Sequence, residues 1–464
     1  MSELWKLGAA DIAQKVKAGQ IGAVEVIQQT LERLASVNPK INAVVEEMSE
    51  QAMDEAQKRD QALFRGEPLG ILHGVPVTVK VTIDQAGYAT TNGLRLQKNH
   101  RAELDSPVVK NLKQAGAIIV GRTNTPAFSM RWFTRNSLHG HTLNPRNIAL
   151  TPGGSSGGAG AATAAGIGTI GHGTDIAGSI RYPAYACGLH GLRPTPGRIP
   201  SANLSLPERY IAGQLAAVSG PLARSIEDIR LGYFAMSLES ELDPSWVPVA
   251  HELGEYQKTV VVCTRPDGLV TSEPVVAEIN RAAESLEQAG WKIIEAATPP
   301  LRELAVLQLR LWFSEFMLDG GRAIYEEGDA DAIFVYEQGM AMLDRPISFE
   351  SLMETLQRRM YLARQWQQFL SKNSLLLCPV SAEPPFKDML DIQSVEDFRS
   401  VFEAQLTQVA LPFVGVPAMS VCTNANHIPL GVQLVSARFR EDILLDAAQA
   451  IEDVCGKSQV AEED

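Results

Sequence analysis

The sequence predicts an α/β fold in which helices lead into short apolar strands of a largely buried sheet. Two stretches of similar design carry the prediction. In DSPVVKNLKQAGAIIVGRTN, from Asp105, either Asp105 or Ser106 can cap a helix, Pro107 suits its first turn, Gly116 ends it, and AIIVG reads as a strand. In SEPVVAEINRAAESLEQAGWKIIEA, from Ser272, a helix again runs through glycine into a short apolar run. A third observation is the change of texture at Gly70. There GILHGVPVTVKVTID, rich in Val, Ile and Thr, favours a buried strand that runs out into the loop QAGYATTNG. Two helix-to-strand units argue for the fold class but do not make a sequence repeat.

The remaining elements follow in order. Residues 1–65 form a helical lead-in, with Val24, Ile27, Leu31 and Leu34 at helical spacing until the Asn-Pro of ASVNPKINAV breaks the helix. Residues 66–230 hold the core of the domain. Residues 300–372 read as several helices with large side chains, among them Trp312, Phe313, Phe316, Met317, Tyr336, Met340, Tyr361 and Trp366, which at this spacing belong to core more often than to a pocket. Residues 373–455 return to strand-like runs, SLLLCPV, AMSVCTN and LGVQLVS, and close on a helix from about Asp442 to Val454. These late strands are expected to complete the sheet begun near Lys80.

Composition narrows the function classes. The chain of 464 residues is 45% hydrophobic and 20% charged, enough to bury a sizeable core. A formal net charge of -13 with dispersed acids offers no basic stripe for a phosphate backbone, so nucleic acid is not an expected partner. Five scattered cysteines without a CxxC pair indicate neither a disulfide framework nor a thiolate zinc site. The charged N-terminal stretch lacks a signal-peptide core and no segment is apolar over the ~20 residues that span a bilayer. The reading is a cytoplasmic protein, with no membrane partner. No heptad pattern or interface stripe signals a homo-oligomer or argues against one.

Between Asn144 and Gly197 lies NPRNIALTPGGSSGGAGAATAAGIGTIGHGTDIAGSIRYPAYACGLHGLRPTPG, dense in Gly, Ala, Ser and Thr. Its apolar AATAAGIGTIG suits a packed segment better than a flexible tether. Gly166, Gly168 and Gly171 match GxGxxG, but a helix-like stretch precedes them, so a dinucleotide site is not expected; GxxxxGK[ST] is absent. GGSSG, Gly153 to Gly157, matches the GxSxG elbow of α/β-hydrolases. That reading needs an acid and a downstream histidine, and His172, His190, His251 and His427 stand in no recognisable context for the role.

A further reading takes Lys80, Ser155 and Ser179 together. A serine that attacks an amide must lose its proton, its oxyanion must be stabilised, and the departing amine must be protonated. A lysine buried in an apolar strand has its pKa lowered and can act as a neutral base. Ser155 between the two could pass the proton, and backbone N–H groups at Ile176, Ala177, Gly178 and Ser179 could converge on one oxyanion. Ser156 reads as a helix cap or loop-holding donor, and Asp175 and Arg181 as a buried pair that supports the turn. Phe128, Met130, Trp132 and Phe133 suit a pocket wall as well as a core. His139 and His141 lack a nearby third ligand; no metal and no cofactor is expected.

At these residues the chain resembles the amidase signature family. The likeness rests on TPGGSSGG from Thr151, GTDIAGSIRYPA from Gly173 and GVPVTVK ending at Lys80, with GRTNTPAF, GLRPTPGRIP, LPFVGVPAMSV and IPLGVQLVS extending it over most of the chain. The resemblance implies a single domain, a central mixed sheet covered by helices on both faces, and amide hydrolysis of a small-molecule substrate through a covalent acyl-enzyme. It implies Ser179 as nucleophile, Ser155 as bridging serine after a cis peptide, and Lys80 as base. Ala177 stands where the family often has glycine, which narrows the site. PTPGRIPS, from Pro194, differs from the PTYGRVSR typical of the glutaminase subunit of a tRNA amidotransferase, so a stand-alone amidase is expected over a subunit of that complex.

Overall fold

The computed structural model describes residues 3–343 and 347–461. Thirteen strands occur in these residues: β1 Val44–Glu47, β2 Pro76–Lys80, β3 Ile118–Thr123, β4 Arg135–Asn136, β5 Gly140–His141, β6 Ile170–Asp175, β7 His190–Arg193, β8 Val218–Ala223, β9 Thr259–Val262, β10 Lys292–Glu295, β11 Leu375–Pro379, β12 Ala418–Asn424 and β13 Leu430–Ser436. Eleven of them form one sheet in the order β1-β3-β2-β6-β8-β7-β12-β13-β11-β9-β10, and β4 and β5 make a separate hairpin. The sheet is mixed. β2 runs parallel to both β3 and β6, while β6, β8, β7, β12 and β13 alternate antiparallel through its middle. The late strands β11, β12 and β13 do join the sheet that contains Lys80.

Both faces are covered. Along β11, Leu375 and Leu377 enter one apolar cluster with Ile279, Leu286 and Leu444 of the helices Glu273–Gln288 and Glu441–Cys455. The intervening Leu376 and Cys378 enter another, with Leu304, Leu362 and Trp366 of the helices Arg302–Met317 and Phe349–Asn373. A strand's side chains alternate between faces, so two covered faces require apolar residues at consecutive positions. That is why SLLLCPV shows no polar alternation.

The helix-to-strand units are present as Pro107–Gln114 into β3 and Glu273–Gln288 into β10. Ser106 takes the cap position without a side-chain cap bond; Asp105 caps nothing, but accepts from the Ala86 amide and pairs with Lys113. The Asn-Pro of the lead-in does not break its helix, which runs from Ala23 to Ile41. Proline removes one N–H donor without ending the helix, and past the helix end Asn38 Oδ1 accepts the Ala43 and Val44 amides while its Nδ2 donates to the Val44 carbonyl. The chain then enters β1, an edge strand antiparallel to β3 that the sequence pattern did not reveal.

Candidate active site

The glycine-rich segment is packed rather than tethering. It supplies the helix Gly157–Ala164, buried throughout, and then β6 beside β2. This parallel pairing sets the end of β2, where Lys80 lies, next to the end of β6, where Thr174 and Asp175 lie. Gly154 lets the loop before the helix approach Arg131–Phe133: a Cβ there would stand 2.4 Å from the Arg131 carbonyl oxygen. The Gly154–Ser155 peptide is cis.

Lys80 is 0% exposed. Its Nζ lies 2.6 Å from Ser155 Oγ, 2.9 Å from Thr174 Oγ1 and 3.2 Å from Ser156 Oγ. Burial lowers its pKa from 10.5 to about 7, against the opposing attraction of Asp175. A neutral amine has two hydrogens and one lone pair. Donating to Ser156 and Thr174 therefore leaves the lone pair for the hydrogen of Ser155, the nearest hydroxyl. Thr174 was not singled out from the sequence. Ser156 heads the helix but does not cap it; its hydroxyl accepts the Thr174 amide and donates to the Thr174 carbonyl, the loop-holding alternative.

Ser179 is 6% exposed and lines, with Ser155 and Thr174, a cavity of about 280 Å³. Among the described residues its hydroxyl makes no hydrogen bond within the protein. The turn that carries it is held from below by Asp175, whose carboxylate accepts the amides of Gly178 and Ile180 and is paired with Arg181. Arg193 donates to the Asp175 carbonyl oxygen at 2.6 Å. Burial alone would raise the Asp175 carboxyl, but the charges of Arg181 and Arg193 and the bonds it accepts hold it at about 2. Asp175→Asn leaves two buried guanidinium groups without their counter-charge. It is expected to cost about 3–5 kcal/mol by urea unfolding followed by circular dichroism; a cost below about 1 kcal/mol would contradict this support role.

The four amides named as oxyanion donors are not equivalent. The Gly178 N–H is already donated to Asp175 Oδ1 at 2.9 Å. No such bond is made by the N–H groups of Ile176, Ala177 and Ser179 among the described residues. Gln308 donates to the Ile176 carbonyl and Trp132 to the Ala177 carbonyl, at 3.2 and 2.8 Å. In a trans peptide the N–H points opposite to its carbonyl, so the bond to Gln308 turns the Ala177 N–H away from it. Gly178 has φ +97°, and a Cβ there would meet the Gln408 side chain at 2.6 Å, so this position requires glycine.

A second, apolar slot opens at Ser179, walled by Met130, Trp132, Ala177, Trp312, Phe398 and Phe402. Trp312 and Phe313, from the helical region expected to be core, thus line the slot, Phe313 while buried; Trp366 is buried as expected. Phe128 lines the larger cavity, whereas Phe133 is core. The outer wall of the larger cavity comes from Ser201–Ala217, a stretch to which the sequence pattern assigned no role. The partner of Ser155 is Lys80, not a histidine: His172 bonds Ser219, His190 pairs with Glu452 and His251 bonds Arg198. His139 and His141 diverge to Thr91 and Asp388.

Comparison with known proteins agrees with this architecture. A family model described as Amidase matches residues 25–445. An indoleacetamide hydrolase from Bradyrhizobium diazoefficiens is 39% identical over 460 residues, 98% of this chain and 87% of that protein. A glutamyl-tRNA(Gln) amidotransferase subunit from Carboxydothermus hydrogenoformans is 30% identical over 97% of each chain. Among solved structures, 6-aminohexanoate cyclic dimer hydrolase in complex with its substrate superposes with a TM-score of 0.83 at 26% identity, over 98% of each chain.

Proposed function

This chain belongs to the amidase signature family and is an amidohydrolase of C–N bonds other than peptide bonds, and on that premise we propose that it cleaves small carboxylic amides through an acyl-enzyme on Ser179. The observation that carries the reading is a buried lysine, with its pKa lowered to about 7, set 2.6 Å from a serine that shares a cavity with a second serine. Neutral Lys80 takes the proton of Ser155 as Ser155 takes that of Ser179. Ser179 Oγ then bonds to the carbonyl carbon, and the oxyanion is received by the amides of Ile176, Ala177 and Ser179. The C–N bond breaks, its electron pair stays on nitrogen, and Ser155 returns the proton there. Water repeats the attack and releases the acid.

We assign the acyl group to the apolar slot and infer arylacetic amides as substrates. Trp132, Trp312, Phe398 and Phe402 offer a ring-lined wall, and the indoleacetamide hydrolase relative points to the same class. Free space in the slot is about 30 Å³, so an aromatic ring enters by displacing Trp312 or Phe402. No helix among the described residues is long and apolar enough to cross a membrane. The five cysteines are unpaired, which supports a reducing compartment, and we propose that the enzyme acts in the cytoplasm without partner chains. Ammonia release by the purified chain tests this with indole-3-acetamide, phenylacetamide and L-glutamine. Turnover of the two arylacetamides is expected; turnover of glutamine alone would overturn the substrate class.

A further inference from the structure

The two compartments that meet at Ser179 differ in what else lines them. Ser155 and Thr174 line the larger cavity and not the slot; Ala177 and Trp132 line the slot and not the cavity. Building on the proposed mechanism, the nitrogen that receives a proton from Ser155 must come within hydrogen-bond reach of its Oγ. Any substituent on that nitrogen therefore extends into the larger cavity. Ammonia needs little more than a water's share of volume, roughly 30 Å³, whereas this cavity holds about 280 Å³. The departing amine has room to be much larger than ammonia.

Among the described residues that line this compartment, Arg209 is the cation and Asp175 and Glu208 are the acids. Asp175 is already paired from beneath with Arg181 and Arg193. On its outer wall Arg209 is exposed, and its guanidinium makes only long contacts, 3.4 Å to the Ser201 carbonyl and 3.5 Å to that of Ala217. Of the acids nearest Arg209, Asp243 accepts the Ser201 and Ser245 amides and Glu315 accepts the Ala212 and Gly213 amides. Glu208, its neighbour in the chain, also lines the cavity. None of the three lies within ion-pair distance of Arg209 among the described residues. All three acids attract the guanidinium without an ion pair to any of them, so its fork can still form a bidentate pair with an incoming carboxylate.

We propose that the enzyme also hydrolyses N-acyl amino acids, with Arg209 receiving the carboxylate of the departing amino acid. The reaction balances as acyl–NH–CHR–COO⁻ plus water giving a carboxylic acid and a free amino acid, with no other reactant.

The test compares phenylacetamide with three N-substituted relatives: N-phenylacetylglycine, neutral N-(2-hydroxyethyl)phenylacetamide and cationic N-(2-aminoethyl)phenylacetamide. The wild type is expected to release glycine with kcat/KM at least that of the hydroxyethyl compound. Arg209→Gln should lower the glycine-to-hydroxyethyl ratio tenfold or more, mainly through KM, and Arg209→Glu should turn the preference toward the aminoethyl compound. A structural role for Arg209 would lower all substrates together and leave the ratios in place, which overturns the assignment. Turnover of phenylacetamide without any release of glycine overturns this inference alone. Failure to cleave any of the four overturns the arylacetic substrate reading on which it rests.

Discussion

Replacing Ser179 with alanine is expected to abolish amide turnover, lowering kcat by on the order of 10⁴ to 10⁶. In the proposed relay Ser155, 2.6 Å from Lys80, passes a proton and does not attack, so it does not replace Ser179. The variant should fold, since the Ser179 hydroxyl makes no hydrogen bond within the protein among the described residues and its removal leaves no buried partner unpaired. Intact mass after exposure to a fluorophosphonate separates this mechanism from the elbow reading of GGSSG. One adduct on the wild type and none on Ser179→Ala is the expected result. Labelling of the variant at Ser155, with activity retained, would make Ser155 the nucleophile and remove the proposed relay.

The second large effect concerns Lys80. Its folded pKa is displaced downward from 10.5 to about 7, first by burial and despite Asp175, and the proposed chemistry uses the deprotonated form. As pH falls below about 7 the amine gains a proton, its lone pair is lost, and kcat/KM should fall about tenfold per unit. Above about 7 the profile should level off. Lys80→Arg retains the charge but has no lone pair at any accessible pH. It should therefore be slower by about 10³ to 10⁴ across the whole range, as should Lys80→Met. A wild-type profile flat between pH 5 and 9, or an active Lys80→Arg, would show that Lys80 is not the base.

Much of the site could be read before the fold was known because its chemistry sits in short stretches. Ser155 and Ser156 lie in one loop and Asp175 to Arg181 in one turn, so each forms a short motif, and the resemblance to the amidase signature family implies their roles. Lys80 could be marked as a buried amine because HGVPVTVKV is apolar around it. Thr174 escaped notice because a threonine in a strand is ordinary, and only the pairing of β2 with β6 turns it toward the lysine. Trp312 looked like core because helical spacing shows which residues share a face, not what that face meets. Ser201–Ala217, a loop followed by the short helix Ile211–Ala216, has too little periodicity to signal what it covers. The Asn-Pro pair signals a break at Pro39, but the helix ends two residues later at Ile41, where Asn38 Oδ1 receives the amides of Ala43 and Val44 that lead into β1.

From the sequence alone came the α/β class, the buried sheet, the packed glycine-rich segment and the three residues of the proposed relay. The first three depend on periodicity, side-chain size or residue type within a few neighbouring positions, and the relay on several motifs that together resemble the amidase signature family. Tertiary structure decided which amides of the turn after Asp175 make no bond within the protein among the described residues, which aromatic rings face Ser179, and how a cavity with Ser155 and a slot without it meet there. Those properties depend on the order of strands in the sheet and on the helices laid across it. Sheet order brings together residues 75 positions apart, as with Lys80 and Ser155, and no local pattern encodes that distance.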